Sequence, residues 1–187
     1  KNSKKLKIGV GGTEPFIFIQ ENKTVDGIVP NIVEKIFKIA GLKYEFLIDS
    51  RTNLLKMVKN KTIDVIVSDH KPEDEEQKRL TFAQAATGSS GIETLLPLSL
   101  ELYHNGSVKL ETIIQALTSN PAKILKINKG NLTIGNDADF CIIDINKPWI
   151  VKKEELISKS KNTSIENKKL QGKVTNTFVK GVELFKL

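Results

Sequence analysis

Chemistry has few places to happen in this chain. Two histidines, His70 and His104, and one cysteine, Cys141, are its whole supply of imidazole and thiol. Asp69 and His70 stand side by side in Ser68-Asp69-His70-Lys71-Pro72-Glu73, directly after the apolar run Ile63-Asp64-Val65-Ile66-Val67. A carboxylate and an imidazole are two of the roughly four donors that a zinc site takes, so this pair alone leaves the site unfilled. The two histidines cannot form a His-x-His pair, and a single cysteine excludes both an internal disulfide and a Cys-rich metal site. His104 precedes Asn105-Gly106 and reads as an exposed histidine at a helix C-terminus, where the dipole favours it. Glu73 to Glu76 read as a solvated acidic face, and Glu93-Thr94 as a turn cap, rather than as acid/base pairs. Gly9-Val10-Gly11-Gly12 lacks the Lys-Ser/Thr of a phosphate loop and the spacing of a dinucleotide fingerprint, so it reads as a loop entry.

The elements that must position these residues are bounded by size. A chain of 187 residues can bury one sizeable core or two small ones. It is too short for a complete eight-unit α/β barrel, which takes about 250 residues. Apolar content of 39% with mixed-sign charge is that of an ordinary globular protein, and no apolar run approaches the length of a membrane helix. The net charge of +7 comes from lysines spread along the chain, which reads as a solvated surface rather than a nucleic-acid face. Cys141 lies in the apolar run Phe140-Cys141-Ile142-Ile143 and is expected to be a buried structural thiol. The sequence begins at Lys1 rather than Met, as a processed or trimmed N-terminus would, which leaves room for a removed signal peptide.

Alternation predicts short strands at Leu6–Val10 and Tyr44–Ile48, with a further short apolar piece over Phe16–Ile19. Helical spacing of Ile32, Val33, Ile36, Phe37 and Ala40 predicts a helix that Gly41 stops, and Asn53 to Lys59 a second. Ile63–Val67 has the continuous apolar character of a buried parallel strand, giving β-α-β-α-β. Leu95 to Asn105, ended by Gly106, and Leu110 to Thr118 are predicted helices, and a third starts with Asn120 as N-cap and Pro121 at its first position. Short alternating segments between glycines predict a β-rich tail, with Trp149 as a packing residue.

Ser68 to Glu73, followed about twenty residues later by Gly88-Ser89-Ser90-Gly91-Ile92-Glu93-Thr94, resembles the last barrel strand and following loop of the dihydroorotase family of amidohydrolases. There the strand ends in Thr/Ser-Asp-His-Ala-Pro-His and the turn reads Gly-x-x-Gly-x-Glu-Thr. Asn120-Pro121-Ala122, Gly130 to Phe140, Ser158-Lys159-Ser160-Lys161-Asn162-Thr163 and Gly172 to Gly181 are similar to that family's later landmarks, including its small β domain. Asn162 to Asn167 departs from its usual Asn-Thr-Pro-Phe-x-Gly. The resemblance implies zinc-dependent hydrolysis of a cyclic amide in pyrimidine biosynthesis. It makes Asp69 the metal ligand and proton shuttle, and it places Glu73, Thr87 and Gly88 against the substrate. Glu73 stands where the family has a histidine that binds the substrate's carboxylate, so it would repel that group. The family's further zinc ligands come from barrel strands these residues do not include. The expectation is therefore that zinc is not retained and that the chain is inactive alone.

Residues 6 to 67 carry a second resemblance, to the first lobe of amino-acid-type extracytoplasmic solute-binding proteins, through Lys7-Ile8-Gly9-Val10, Glu14-Pro15-Phe16, Asp26-Gly27-Ile28-Val29-Pro30 and Lys61-Thr62-Ile63-Asp64. Where those receptors carry a Thr and an Arg that clamps a carboxylate, this chain has Glu73 and Glu76. The expected fold is α/β: a short, mostly parallel sheet with covering helices, then a small β-rich C-terminal domain, making an incomplete barrel. The boundaries are 1–67 for the receptor-like segment, 68–127 for the last barrel unit and its helices, and 128–187 for the β domain, with the two resemblances joined chimera-like on Ile63–Val67. Three functions follow. The first is an inactive dihydroorotase-like protein with a structural role, for which the resemblance offers aspartate transcarbamoylase as partner. The second is a small-molecule binding module, and the third a hydrolase completed by a partner chain. The dihydroorotase part implies a cytoplasmic address, which is the expectation, and the receptor part an extracytoplasmic one.

Overall fold

The computed structural model describes residues 6–10, 18–19, 25–26, 38, 41, 43–48, 57, 60, 63–81, 84–86 and 88–187. The chain divides into two compact units, Lys1–Val65 and Ile66–Leu187.

In the first unit, β1 (Leu6–Val10) pairs in parallel with β4 (Tyr44–Ile48), Leu6 opposite Tyr44 and Val10 opposite Ile48. Both are alternating segments rich in β-branched or aromatic residues, which suit a pleated ladder. Between them in sequence, β2 (Phe18–Ile19) and β3 (Val25–Asp26) form a small antiparallel pair. Lys38 and Met57 are helical, and the rest of the two helices expected around them lies outside the described residues. Gly41, where the sequence puts the stop, has φ 65° and its N–H donates to the Lys38 carbonyl at 3.2 Å.

The strand expected at Ile63–Val67 does not form. A continuous apolar run becomes a buried strand only where neighbours offer ladders. Among the described residues, the Ile63 N–H instead donates to the Met57 carbonyl and the Ile66 N–H to the Ala116 carbonyl, while Val67 is 72% exposed. The mostly parallel layer expected over residues 6 to 118 is thereby reduced, among the described residues, to the β1–β4 pair.

The second unit starts with a one-turn helix, α1 (Glu75–Lys78), whose Asp74 N-cap accepts from the Glu76 N–H. Next come α2 (Leu95–His104), α3 (Leu110–Leu117) and α4 (Ser119–Leu125). Leu100, Leu102, Ile113 and Ala116 are the buried side of α2 and α3. Gly106, at φ 72°, ends α2 where the sequence puts the stop. The α4 helix begins earlier than expected, because Thr118 breaks α3 and directly precedes it. Asn120 and Pro121 therefore sit inside its first turn, where backbone N–H groups have no helical partner and proline costs little.

The tail is a three-stranded antiparallel meander, β5 (Phe140–Ile150), β6 (Lys169–Val179) and β7 (Val182–Lys186). Lys180 and Gly181, both at positive φ, make the tight β6–β7 turn, a conformation that matches the natural strand twist. Gly172 is where the helical layer meets the sheet. A Cβ there would lie 2.4 Å from Leu100 Cδ1, so α2 packs directly on β6 only because the residue has no side chain. Trp149 packs as expected, against the core of Val151, Leu156 and Leu170, with its Nε1–H donating to the Gly172 carbonyl at 3.1 Å and Lys173 Nζ 4.5 Å from its ring.

Cys141 corrects the sequence reading, since it is exposed rather than buried. β5 is an edge strand whose first residues face outward on both sides, so an apolar run alone did not decide its burial. Partial desolvation raises the Cys141 thiol above its ordinary pKa. Among the described residues no helix is long and apolar enough to cross a membrane.

Candidate functional site

The Ser68–Glu73 segment has no ladder of its own, and its contacts are made in part by the turn at 88–92. The Lys71 N–H donates to the Ser89 carbonyl at 3.1 Å. His70 Nδ1 accepts from the N–H groups of Gly91, at 3.2 Å, and Ile92, at 3.3 Å, which puts the ring proton on Nε2. The His70 N–H in turn donates to Ser68 Oγ. The two glycines of the turn make this approach sterically allowed. A Cβ on Gly91 would lie 2.6 Å from the Ser68 carbonyl oxygen, and one on Gly88, whose φ is 141°, would lie 2.4 Å from that of Lys71. The Gly-x-x-Gly spacing is thus a packing requirement of the Ser68–Lys71 backbone.

Inside this clamp Asp69 adopts φ 48°, a left-handed conformation that aspartate tolerates better than most residues but which still costs of order 1 kcal/mol. Its side chain is exposed and makes no hydrogen bond or ion pair among the described residues. Glu73 is less available, since its carboxylate pairs with Lys71 Nζ at 3.2 Å and is 23% exposed. Its backbone carbonyl accepts from Ser160 Oγ at 2.6 Å, and the Gly88 carbonyl accepts from Asn162 Nδ2 at 3.1 Å. Thr87 lies outside the described residues. Asp74, Glu75 and Glu76 are a solvated face, with Arg79 bridging the two glutamates.

His104 is exposed at the end of α2, beside the Tyr103 ring, as expected. Among the described residues, no group of three or more His, Cys, Asp or Glu side chains could hold a metal ion. Asp69 offers an exposed carboxylate, but His70 has committed Nδ1 to two amides and retains only Nε2. These donors do not make up a catalytic zinc site.

Sequence reasoning missed Glu93. Taken there for a turn cap, it instead accepts from the N–H groups of Ile157, at 3.1 Å, and Ser158, at 3.0 Å. Thr94, at the N-cap position of α2, makes no side-chain cap, and its Oγ1 donates to the Gly91 carbonyl. No local signal marks partners more than sixty residues away; the one available hint was that Glu93 and Ser158-Lys159-Ser160 belong to the same set of landmarks.

The Amidohydrolase family model matches residues 19–184, a span that takes in most of the stretch likened above to a solute-binding lobe. The chain is 41% identical over 133 residues to a dihydroorotase of Ehrlichia canis, a match covering 71% of this chain and 30% of that protein. It is 39% identical over 138 residues to a dihydroorotase of Aquifex aeolicus, covering 74% and 32%. Among solved structures it resembles the L-hydantoinase of Arthrobacter aurescens (TM-score 0.70, 24% identity, 84% of this chain and 43% of that one). It also resembles the dihydropyrimidinase of Brevibacillus agri (TM-score 0.69, 22% identity, 73% and 31%). The chain spans about three tenths of the length of the curated relatives it matches, and the partial sheet and helices are consistent with an incomplete barrel. It belongs to the amidohydrolase family.

Proposed function

We propose that the chain supplies the Asp69 arm of a dihydroorotase-type hydrolase of cyclic amides and that these 187 residues do not turn over dihydroorotate alone. The observation that carries this reading is the clamp on Ser68–Lys71, which holds Asp69 in a strained conformation with its carboxylate open to solvent. Opening a cyclic amide requires one group to take a proton from the attacking water and return it to the departing nitrogen. A carboxylate carried on a clamped backbone and open to solvent suits that task, and Asp69 would perform it. Glu73, Thr87 and Gly88 would line the substrate side, with the Glu73 charge offset by its pairing to Lys71. Zinc, which members of the family generally use, would need donors from outside these residues, because the sequence holds only two histidines. A polypeptide carrying the remaining barrel strands is therefore the partner this reading requires, in the cytoplasm.

Complementation tests it. The chain is assayed for dihydroorotate ring opening with zinc, alone and mixed with a dihydroorotase barrel lacking the corresponding segment. Activity is expected only in the mixture and is expected to disappear with Asp69→Asn. Turnover by the chain alone, or by a mixture containing the Asp69→Asn variant, would overturn the reading. A structural role beside another protein is the second reading, with aspartate transcarbamoylase as a candidate. It is favoured by large apolar side chains left in solvent, among them Ile92, Leu132 and Ile134.

A further inference from the structure

The segment between the 3-10 turn at Lys153–Glu155 and β6 makes contacts that the meander does not need. Leu156 and Ile165 peg its two ends into the core beside Val151 and Leu170. Between those pegs it reaches toward the candidate site. Ser160 Oγ donates to the Glu73 carbonyl, and Asn162 Nδ2 donates to the Gly88 carbonyl. The Ser90 N–H donates to the Asn162 carbonyl at 2.7 Å, and the buried Ser90 hydroxyl donates to the Ser160 carbonyl at 2.8 Å. Ser89 Oγ accepts from the Ser164 N–H at 3.0 Å, and the Glu93 carboxylate takes the Ile157 and Ser158 N–H groups. Every one of these bonds joins two segments without regular structure, so each satisfies polar groups to which neither helix nor sheet offers a partner. None touches the Asp69 side chain.

We infer that residues 157–164 are the positioning strap of the site. Ser160 sets where the Glu73 end of the Asp69 loop lies, and Asn162 sets the Gly88 carbonyl. Glu93 fastens the strap to the turn that grips His70. The strap fixes the clamp from its far side, so the Asp69 conformation depends on residues some ninety positions later in the chain. What the strap holds follows from the hydrogen bonds themselves; that the held loop faces a cyclic amide rests on the function proposed above.

Hydrogen exchange followed by mass spectrometry tests the strap in Ser160→Ala, Asn162→Ala and Ser160→Thr. Losing one such bond should speed exchange of amides in 68–73 for Ser160→Ala and in 88–92 for Asn162→Ala by about fivefold. Amides of 170–178 should keep the parent's rates, and Ser160→Thr, which retains the hydroxyl, should restore the parent pattern. Unchanged exchange in both loops, or a rise of equal size in the sheet, would overturn the strap. Running the complementation assay on the same samples separates the two ideas. A parent chain that fails to complement, beside variants that show the local acceleration, removes the dihydroorotase reading and leaves the strap standing.

Discussion

Gly91→Ala probes the clamp at its tightest point. The new methyl carbon would lie 2.6 Å from the Ser68 carbonyl oxygen, nearer than the 3.0 Å that real Cβ atoms essentially never breach. That oxygen is backbone, so no side chain can swing aside, and the two segments must part by roughly half an ångström or more. The separation acts on bonds that are already long, from the Gly91 N–H to His70 Nδ1 at 3.2 Å and from the Lys71 N–H to the Ser89 carbonyl at 3.1 Å. Overpacking of this kind costs about 1–3 kcal/mol, and weakening two partly buried hydrogen bonds adds about 1 kcal/mol. The expected loss is therefore about 2–4 kcal/mol of unfolding free energy. Trp149 is the chain's single tryptophan and sits in the same compact unit, so urea unfolding followed by its fluorescence reads the loss directly. A Gly91→Ala protein within about 0.5 kcal/mol of the parent, a change typical of neutral surface substitutions, would refute the close approach on which the site geometry depends.

His70→Leu deprives the Gly91 and Ile92 N–H groups of their shared acceptor and should cost about 1–3 kcal/mol, with His70→Gln recovering part of it. Equal stabilities for the Leu and Gln variants in urea would show that the imidazole is not acting as an acceptor. Glu93→Gln leaves one oxygen for two donors and turns an NH₂ toward the second, so about 1–2 kcal/mol is expected. Thermal unfolding unchanged from the parent would argue against that anchor. Asp139 is held below the ordinary carboxylate pKa, first by Lys129 Nζ and then by the Lys180 N–H. Its stabilisation is present above the unfolded-state pKa and fades as pH falls from the ordinary carboxylate range through the lowered folded value. An NMR titration should find the Asp139 midpoint depressed and Lys129→Ala should raise it, whereas an ordinary midpoint in the parent would count against the pairing.

The parts of the fold legible in the sequence are those fixed by local pattern. Leu6–Val10 and Tyr44–Ile48 alternate and form strands, α2 and α3 carry their apolar stripes inward, and Gly106 stops α2 where left-handed backbone is needed. What misled was whatever depends on a distant neighbour. Ile63–Val67 has the composition of a strand, yet pairing is a property of two segments and here it finds no ladder among the described residues. Cys141 sits in an apolar run on an edge strand, where apolar character and burial part company. At the site, the Asp69 loop and its glycine-bearing turn could be picked out by motif, whereas the reason for the glycines appears only when a Cβ is placed against Ser68 and Lys71. Glu93, Ser160 and Asn162 carry no local signal for their roles, because each acts on groups more than sixty residues away.

The most direct test of the central proposal is the zinc content of the untagged chain, purified without a chelating column, equilibrated with zinc and then measured by elemental analysis. With Asp69 and His70 supplying too few free donors, well under one zinc per chain is expected. About one zinc or more per chain, reduced by Asp69→Asn, would contradict it and make these residues a metal centre in their own right.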